Sequence, residues 1–388
     1  MGFSSGENSF ISAAQAFETK AKHALLVDFD TGTVLLDKDG AVQMPPSSMS
    51  KLMTAYMVFE RLRAGAIAPE DEFSVSDNAW RKGGAASGGS TMFLEPRTTA
   101  KVEDLLRGII IQSGNDACIV IAENLNGNEA AFAEAMNRQA AELGLDDSNF
   151  TNATGLPDPN HFMTARDLAK LARHIIVDFP EYYSLYSETE FAYNGITQHN
   201  RNPLLYKSVG ADGLKTGHTS IAGYGLTASA KQGDRRLILV INGLESTRAR
   251  SEEAERLMSW GFRNFQNVEL LTQGAVISEA EVWMGDQDLV ALSSPESVTV
   301  TLPNTAHRDM VVKVVYDGPI QAPITKGQEI ARLTVDAPDI EPMSFPLVAA
   351  ADVDRLNIVG RLAAAAKHAL FGLADIDLDQ SAGGSASQ

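Results

Sequence analysis

The chain contains little of three things that would point to other classes of protein: cysteine, positive charge and long apolar runs. Its single cysteine, Cys118, cannot form an internal disulfide, and its place beside Ile119 and Val120 predicts a buried apolar residue. The formal net charge of −18 disfavours nucleic acid as a partner. No segment of the sequence is long and apolar enough to cross a membrane, and none reads as the apolar core of a signal peptide.

The remaining composition is that of an ordinary globular protein. Of the 388 residues, 44% are hydrophobic and 21% are charged. A chain of this length can form two domains, one of them with a large core.

Three short motifs occur in an order suited to acyl transfer by a serine. They are Ser48-Met49-Ser50-Lys51, Ser113-Gly114-Asn115 and Lys215-Thr216-Gly217. A serine hydroxyl is a poor nucleophile near neutral pH, and Lys51, three positions after Ser48 on the first turn of a predicted helix, shares a face with it and can take its proton. Burial and a second cation, here Lys215, would lower the lysine pKa and leave part of the amine neutral. This chemistry requires no metal and no cofactor.

Each motif alone has an ordinary explanation. Ser48 could simply begin a helix after Pro45-Pro46, and Lys51 could be a solvated helix residue. A second S-x-N text, Ser76-Asp77-Asn78, competes with Ser113-Gly114-Asn115. We favour the latter because Ser76 is expected in a polar turn after a short strand, whereas Ser113 is expected at a junction between two helices. The K-T-G motif is expected at a strand start, after an Asp212-Gly213 turn.

With these motifs in this order, the chain resembles the D-alanyl-D-alanine carboxypeptidases of the low-molecular-mass penicillin-binding protein group, peptidase family S11. The resemblance runs from about Phe17 to about Leu373. Longer stretches strengthen it: Pro46–Thr54, Gln112–Cys118, Thr164–Leu168, Asn194–Ile196, Asn200–Asn202 and Asp212–Thr219.

The resemblance implies the roles of further residues. Ser48 would be the nucleophile, with Lys51, Ser113, Asn115 and Lys215 as the other catalytic residues, and the backbone N–H groups of Ser48 and His218 would form an oxyanion hole. Substrate-binding residues would be Thr216, Gly217, His218, Arg201 and Arg250. The substrate would be a peptidoglycan stem peptide ending in D-Ala-D-Ala, and β-lactam antibiotics would acylate the same serine. Arg248 is a competitor for the carboxylate-binding role of Arg250, and a surface ion pair of Arg250 with Glu253 or Glu255 is the structural alternative.

The pattern of elements predicts an α/β (α+β) fold. The catalytic domain, residues 17–266, is expected to resemble the penicillin-binding and serine β-lactamase-like transpeptidase fold, with helices packed on an antiparallel sheet. Within it, Ala24–Phe29 and Thr33–Leu36 form a predicted hairpin, as do Tyr224–Ala230 and Arg236–Asn242. Residues 267–350 are expected to form a small all-β domain, because Ser297–Leu302 alternates with period two.

The two ends of the chain carry further expectations. Residues 1–16 read as the remnant of an export leader or a segment that replaces one, so a periplasmic location is expected. Residues 354–373 form a basic amphipathic pattern that predicts a helix lying on a lipid surface, at the outer face of the cytoplasmic membrane as the resemblance implies. Residues 374–388 are acidic and rich in Gly and Ser, and are expected to be disordered.

Other functions share these motifs. A β-lactamase would need a fast deacylating water, and the E-x-x-x-N text at Glu190–Asn194 lies much closer to the K-T-G motif than the class A pattern would place it. An endopeptidase or transpeptidase acting on cross-linked peptidoglycan would use the same residues. A β-lactam sensor or a non-hydrolysing wall-binding module is a further alternative. The favoured prediction is a serine-type D-Ala-D-Ala carboxypeptidase.

Overall fold

The fold is known from a computed structural model, which describes residues 17–306, 309–338, 342–358, 360 and 362. The chain divides into two compact units, Met1–Gln266 and Asn267–Gln388. The expectations for residues 1–16 and 374–388, and most of the predicted helix at residues 354–373, lie outside the described residues.

A five-stranded antiparallel sheet forms the centre of the first unit. Its strand order is β2-β1-β9-β8-β7. The strands are β1 (His23–Asp28), β2 (Val34–Lys38), β7 (Ala211–Thr219), β8 (Gly223–Gln232) and β9 (Arg235–Leu244). Both predicted hairpins, β1–β2 and β8–β9, are therefore confirmed, and β7 forms one edge of the sheet.

Short strands and helices complete this unit. The short strands pair as β3 (Glu72–Ser74) with β4 (Thr99–Lys101) and β5 (Glu190–Tyr193) with β6 (Ile196–His199). The α-helices are α1 (Lys51–Arg63), α2 (Asp77–Gly83), α3 (Val102–Arg107), α4 (Asn115–Asn126), α5 (Glu129–Glu142), α6 (Ala165–Asp178), α7 (Pro180–Tyr183) and α8 (Thr247–Asn264).

The central strand β9 shows why helices cover both faces of the sheet. Successive side chains of a strand point to opposite faces. Ile238 and Val240 pack into the larger core with α1, α4 and α6, whereas Leu237, Leu239 and Ile241 pack into the core with α8. The predicted antiparallel sheet flanked by helices is confirmed.

The second unit consists of strands, as its period-two pattern predicts. Its strands form two sheets: a six-stranded sheet in the order β14-β16-β17-β12-β11-β15 and a two-stranded sheet of β10 and β13. The bounds are β10 (Phe265–Leu271), β11 (Val276–Trp283), β12 (Leu289–Ser293), β13 (Val298–Pro303), β14 (Val311–Val315), β15 (Ile320–Gln321), β16 (Glu329–Asp336) and β17 (Met343–Ala349). Val298, Val300 and Leu302 of β13 are buried together, on the face that the alternation predicts.

Two local expectations are wrong. Ser76 does not lie in a polar turn: its side chain accepts a hydrogen bond from Ala79 N and caps the short helix α2. Asp212 and Gly213 do not form a turn before the K-T-G motif, because β7 already begins at Ala211 and Lys215 lies in its middle. The prediction for Ser76 failed because serine is favoured both in turns and at helix N-caps.

Candidate active site

Ser48 and Lys51 lie at the start of α1, where a one-turn 3-10 helix, Ser47–Ser50, leads into the α-helix. Lys51 Nζ lies 3.0 Å from Ser48 Oγ and donates a hydrogen bond to it. Ser47 has a φ of +52°, a left-handed conformation that is rare for serine. Such backbone strain persists only where the surroundings enforce it, and it is frequent at active sites.

The ammonium of Lys51 is surrounded by neutral oxygen atoms. Besides Ser48 Oγ, it donates to Asn115 Oδ1 at 2.8 Å and to the Thr154 carbonyl oxygen at 2.5 Å. The side chain is buried, with 1% of the residue exposed. Burial, with a smaller contribution from the nearby Arg201 cation, lowers the pKa of Lys51 to about 8. About one amine in ten is then neutral at pH 7, and its lone pair can accept the Ser48 proton across the same contact.

The segment that carries Ser113 and Asn115 joins two helices, as the sequence predicts. A π-helical turn, Gly108–Gln112, follows α3, and Ser113 then adopts φ +61° immediately before α4. Its Oγ is buried and neither accepts nor donates a hydrogen bond within the described part of the chain. Ser113 therefore has a free hydroxyl at the site, while Asn115 holds Lys51.

Asp116 supports this segment and was missed in the sequence. Its fully buried carboxylate accepts hydrogen bonds from Met92 N (3.0 Å), Leu94 N (3.1 Å) and Thr91 Oγ1 (2.6 Å). It thereby fixes residues 91–94 against the first turn of α4. An acidic residue in the first turn of an expected helix was the available signal, but it does not reveal which segment the carboxylate holds.

A second missed contribution is the Thr154 carbonyl. Asn152 Oδ1 accepts hydrogen bonds from Thr154 N and Gly155 N, so this tight turn directs the carbonyl at Lys51. Gly155 has φ +77°, and a Cβ there would lie 2.0 Å from Ser47 O. Only glycine allows this close approach. The Asn-Ala-Thr-Gly text signals a turn, but a backbone ligand has no side-chain signature.

The edge strand β7 brings the K-T-G motif to the Ser48 turn. A Cβ on Gly217 would lie 2.9 Å from Pro46 O and 3.1 Å from Ser47 Cβ, so the two segments pack closely. Lys215 is buried, and its Nζ donates to Thr216 O at 3.2 Å. Burial first, and then the positive charges of Lys51 and Arg201, lower the pKa of Lys215 well below its ordinary value.

A cluster of polar side chains holds the first half of β7 in place. Arg236 binds the Asp212 carboxylate with two hydrogen bonds, of 2.8 and 2.7 Å, and Tyr183 Oη donates to the same carboxylate at 2.7 Å. Asn202 Nδ2 donates to Gly213 O at 2.7 Å. Two-point binding of a carboxylate by arginine fixes direction as well as distance.

Arg250 and Arg248 are placed very differently on α8. Arg250 is 7% exposed, and its Nε has no hydrogen-bond partner among the described residues. Burial lowers its pKa to about 10, so that it stays charged at pH 7. The Arg248 side chain is 86% exposed and pairs with Glu252 at 2.7 Å. The alternative ion pair of Arg250 is not seen, since Glu253 binds Arg256 and Glu255 binds Lys207.

The remaining predicted substrate residues lie around these cations. His218 is exposed and stacks on Tyr224 with ring centroids 3.9 Å apart, and the Arg250 guanidinium lies 5.8 Å from the same ring. Arg201 Nη1 donates to Ser90 Oγ at 2.5 Å and lies near enough to Lys51, Lys215 and Arg250 to lower their pKa values. Thr216 is buried beside Lys215.

Cys118 is buried, as the sequence predicts, and His161 is buried as well. Cys118 is a free thiol whose pKa burial raises to about 12. His161 Nδ1 accepts a hydrogen bond from Thr151 N, and burial lowers its pKa to about 4.

Across the described ranges, no group of three or more His, Cys, Asp and Glu residues is placed to hold a metal ion, and no helix is long and apolar enough to span a membrane.

The arrangement therefore has the parts of a serine acyl-transfer site. The Ser48 hydroxyl contacts an amine that is partly neutral at pH 7, and Ser113, two residues before Asn115, has a hydroxyl without a partner among the described residues. Lys215, Arg201 and Arg250 place positive charge around them, in a chain of net charge −18. Concentrated positive charge in a cleft attracts an anionic group of a substrate, and a carboxylate is the natural match.

Both units match known protein families. Residues 10–246 match the family model described as D-alanyl-D-alanine carboxypeptidase, Peptidase_S11, and residues 265–355 match the one described as penicillin-binding protein 5, C-terminal domain. Among curated proteins, D-alanyl-D-alanine carboxypeptidase DacD of Escherichia coli is 38% identical over 348 residues, which cover 89% of this chain and 90% of that protein.

Solved structures share the fold. Penicillin binding protein 5 from Haemophilus influenzae has a TM-score of 0.76 and 37% identity, with 87% of this chain and 98% of that chain covered. The D-alanyl-D-alanine carboxypeptidase DacD from Francisella tularensis has a TM-score of 0.78 and 28% identity, with 89% and 96% covered. The predicted combination of a penicillin-binding transpeptidase-like domain and a domain of strands is confirmed.

Proposed function

Because this chain belongs to the Peptidase S11 family of D-alanyl-D-alanine carboxypeptidases, we propose that it removes the terminal D-alanine from peptidoglycan stem peptides ending in D-Ala-D-Ala. The contact between Ser48 Oγ and the buried amine of Lys51 carries the proposal. A lysine with a pKa of about 8 can serve as a base at neutral pH, which an ordinary solvated lysine cannot.

Acylation follows from this contact. Ser48 Oγ attacks the carbonyl carbon of the penultimate D-alanine while Lys51 Nζ takes the hydroxyl proton. The bond to the last D-alanine breaks, and Ser113 Oγ relays a proton to the leaving amine. The N–H groups of Ser48 and His218 hold the oxyanion, and donors of this kind contribute about 3–4 kcal/mol each. Water then hydrolyses the ester and frees Ser48.

Substrate recognition uses the cations around the serine. Arg250 supplies paired donors for the terminal carboxylate, assisted by Lys215, Thr216 and Arg201. Asn115 orients the substrate amide while it holds Lys51. The free Nε of Arg250, its burial and its lack of an acidic partner in the described residues support this role.

Penicillins are expected to acylate Ser48 as well. Their strained amide would present its carbonyl to Ser48 Oγ and its carboxylate to the same cations. The presence of penicillin-binding proteins among the structural neighbours supports this expectation.

We also place the protein in the periplasm, attached peripherally to the outer face of the cytoplasmic membrane by residues 354–373. Leu356, Val359, Ala363, Ala366 and Leu370 recur at steps of three and four, with arginine and lysine between them. Cosedimentation of the full chain with anionic phospholipid vesicles tests this, with Leu370→Asp as the variant. Equal binding by both proteins would contradict the attachment.

The activity is tested by D-alanine release from an N-acetylated pentapeptide ending in D-Ala-D-Ala. The intact protein should release D-alanine and Ser48→Ala should not, whereas Ser76→Ala, which removes the cap of α2 and a hydrogen bond to Glu123, should remain active. Penicillin should add covalently to the intact protein and to Ser76→Ala only.

The other outcomes identify the alternatives. Penicillin acylation without D-alanine release would favour a sensor or an endopeptidase specific for cross-linked peptides. If neither acylation nor release occurred, the assignment of Ser48 as nucleophile would be wrong.

A further inference from the structure

A groove on the first unit is not used by the mechanism above. It has a volume of about 490 Å³ and is open to solvent, and five residues line it: Asp77, Trp80, Arg81, Pro96 and Arg97. Its walls are α2 and the loop that precedes β4.

The groove combines an exposed aromatic face with an exposed ion pair. Trp80 is 41% exposed, although indole rings are usually well covered. Arg97 Nε and Nη2 each donate to the Asp77 carboxylate at 3.2 Å, in an ion pair that is exposed to solvent. Arg97 has φ +64°, a left-handed conformation that the surrounding loop must impose.

A ligand that matches this surface needs an apolar face and a polar edge. A pyranose ring has both, because its axial C–H groups form an apolar face and its hydroxyl and acetamido groups project from the rim. The indole of Trp80 would stack on the C–H face. Arginine N–H groups and the Asp77 carboxylate would meet acceptors and donors on the rim.

The helix that forms one wall of the groove packs against the start of α4, which carries Asn115. Gly83, at the end of α2, packs on α4: a Cβ there would lie 2.6 Å from the carbonyl carbon of Asn115. Trp80 lies about one helical turn before Gly83, or about 5 Å along the axis. A stem peptide with about four residues between its sugar and its scissile bond spans up to about 14 Å.

We propose that this groove binds an N-acetylated hexosamine unit of the glycan chain to which the stem peptide is attached. The inference rests on the proposed carboxypeptidase function, because it assumes a substrate that carries sugar at the far end of its peptide. The groove would then favour wall-attached substrate over free peptide.

Kinetics with two substrates test the proposal in the full chain. Trp80→Ala should lower kcat/KM about three- to tenfold for a disaccharide pentapeptide and leave it unchanged for the N-acetylated pentapeptide without sugar. Trp80→Phe should retain most of the preference. Val177→Ala is the matched control, since Val177 is 50% exposed on another helix.

A direct titration separates this proposal from the proposed activity. Chitotetraose should change the tryptophan fluorescence of the Ser48→Ala protein and not that of the Ser48→Ala, Trp80→Phe protein. A loss of kcat/KM by Trp80→Ala that is equal for both substrates would overturn the sugar site, and so would the absence of a chitotetraose response. If no D-alanine were released from either substrate and chitotetraose still acted through Trp80, the activity would be wrong and the site would stand.

Discussion

The two units differ in what they bury. Among the described residues, every Asp, Glu, Lys or Arg that is buried belongs to the first unit: Asp28, Lys51, Asp116, Asp167, Lys215, Arg250 and Glu253. The buried polar residues of the second unit are hydroxyl-bearing: Ser293, Ser294 and Thr301. Because burial of a charge is costly, a core that needs only stability has little reason to contain one.

The buried acids of the first unit all have partners: Asp116 accepts hydrogen bonds from neutral donors, and Asp167 pairs with Lys170 at 3.4 Å. Asp28 pairs with Arg235 at 2.8 Å and Glu253 with Arg256 at 2.6 Å, so these charges are balanced. Lys51 and Lys215 instead contact neutral oxygens. A cation without a counter-ion has a lowered pKa and is ready to meet an anion, and this group coincides with the proposed site.

Lys51→Arg should produce the largest effect on activity. It keeps a cation at this position but removes a base, because arginine does not lose its proton near neutral pH. We expect the rate of penicillin acylation to fall about 10³-fold. The exposed Lys82→Arg is the control, and acylation of Lys51→Arg at more than a tenth of the normal rate would argue against Lys51 as base.

Arg250→Ala should produce the next largest effect. Charge-assisted hydrogen bonds to a terminal carboxylate are lost, so kcat/KM for the pentapeptide should fall about ten- to a hundredfold. The same change should matter little for a peptide with a C-terminal amide. Arg248→Ala is the matched control, two positions away on the same helix, and an equal effect of both variants would contradict the assignment.

The pH dependence of acylation tests the role of Lys51, a buried cation that contacts neutral oxygens rather than an acid. Lys51 loses its proton as pH rises through about 8, so the acylation rate should rise about tenfold per pH unit below that value and then level off. Because the pKa of Lys51 is lower in the folded protein than in the unfolded chain, the charged amine also lowers the stability of the fold. This loss of stability is at its maximum below about pH 8 and disappears as the pH rises through 10.5. A rate independent of pH between 6 and about 9, with circular dichroism unchanged, would contradict a neutral-lysine base.

Asp212→Asn should have a smaller effect, because its charge positions β7 rather than touching substrate. Loss of the two-point contact with Arg236 should lower kcat for pentapeptide about three- to tenfold through Lys215 and Thr216. Asp37→Asn, which weakens the exposed pair with Arg166, is the control. A change confined to thermal stability would show that the cluster is structural only.

The smallest effect on activity is expected from the core of the second unit. Leu333 is 1% exposed, and Leu333→Ala should destabilise that unit by about 2–5 kcal/mol with the acylation rate unchanged. Leu52→Ala, in the fully buried first turn of α1, should be similarly destabilising and should also slow acylation. Denaturant unfolding and penicillin acylation measured on both variants would reveal whether the contrast between the units holds.

The sequence by itself determined the local features of the fold and part of the site. Period-two alternation predicted β13, pairs of neighbouring strand patterns predicted two hairpins, and spacing predicted that Ser48 and Lys51 share a face. These follow from helix and strand periodicity, which requires no knowledge of distant residues. Local context, an expected junction between two helices, then favoured Ser113 over Ser76, which the structure places at the cap of α2.

Only the tertiary structure decided how distant segments meet. Arg248 and Arg250 are indistinguishable in sequence, but residues two apart on a helix point in different directions, and packing of α8 on the sheet buries one of them. The Thr154 carbonyl reaches Lys51 because Gly155 fits against Ser47, and a backbone atom leaves no trace in residue type. The position of Lys215 in the middle of β7 depends on pairing with β8, since strand ends are set by partners rather than by turn residues alone.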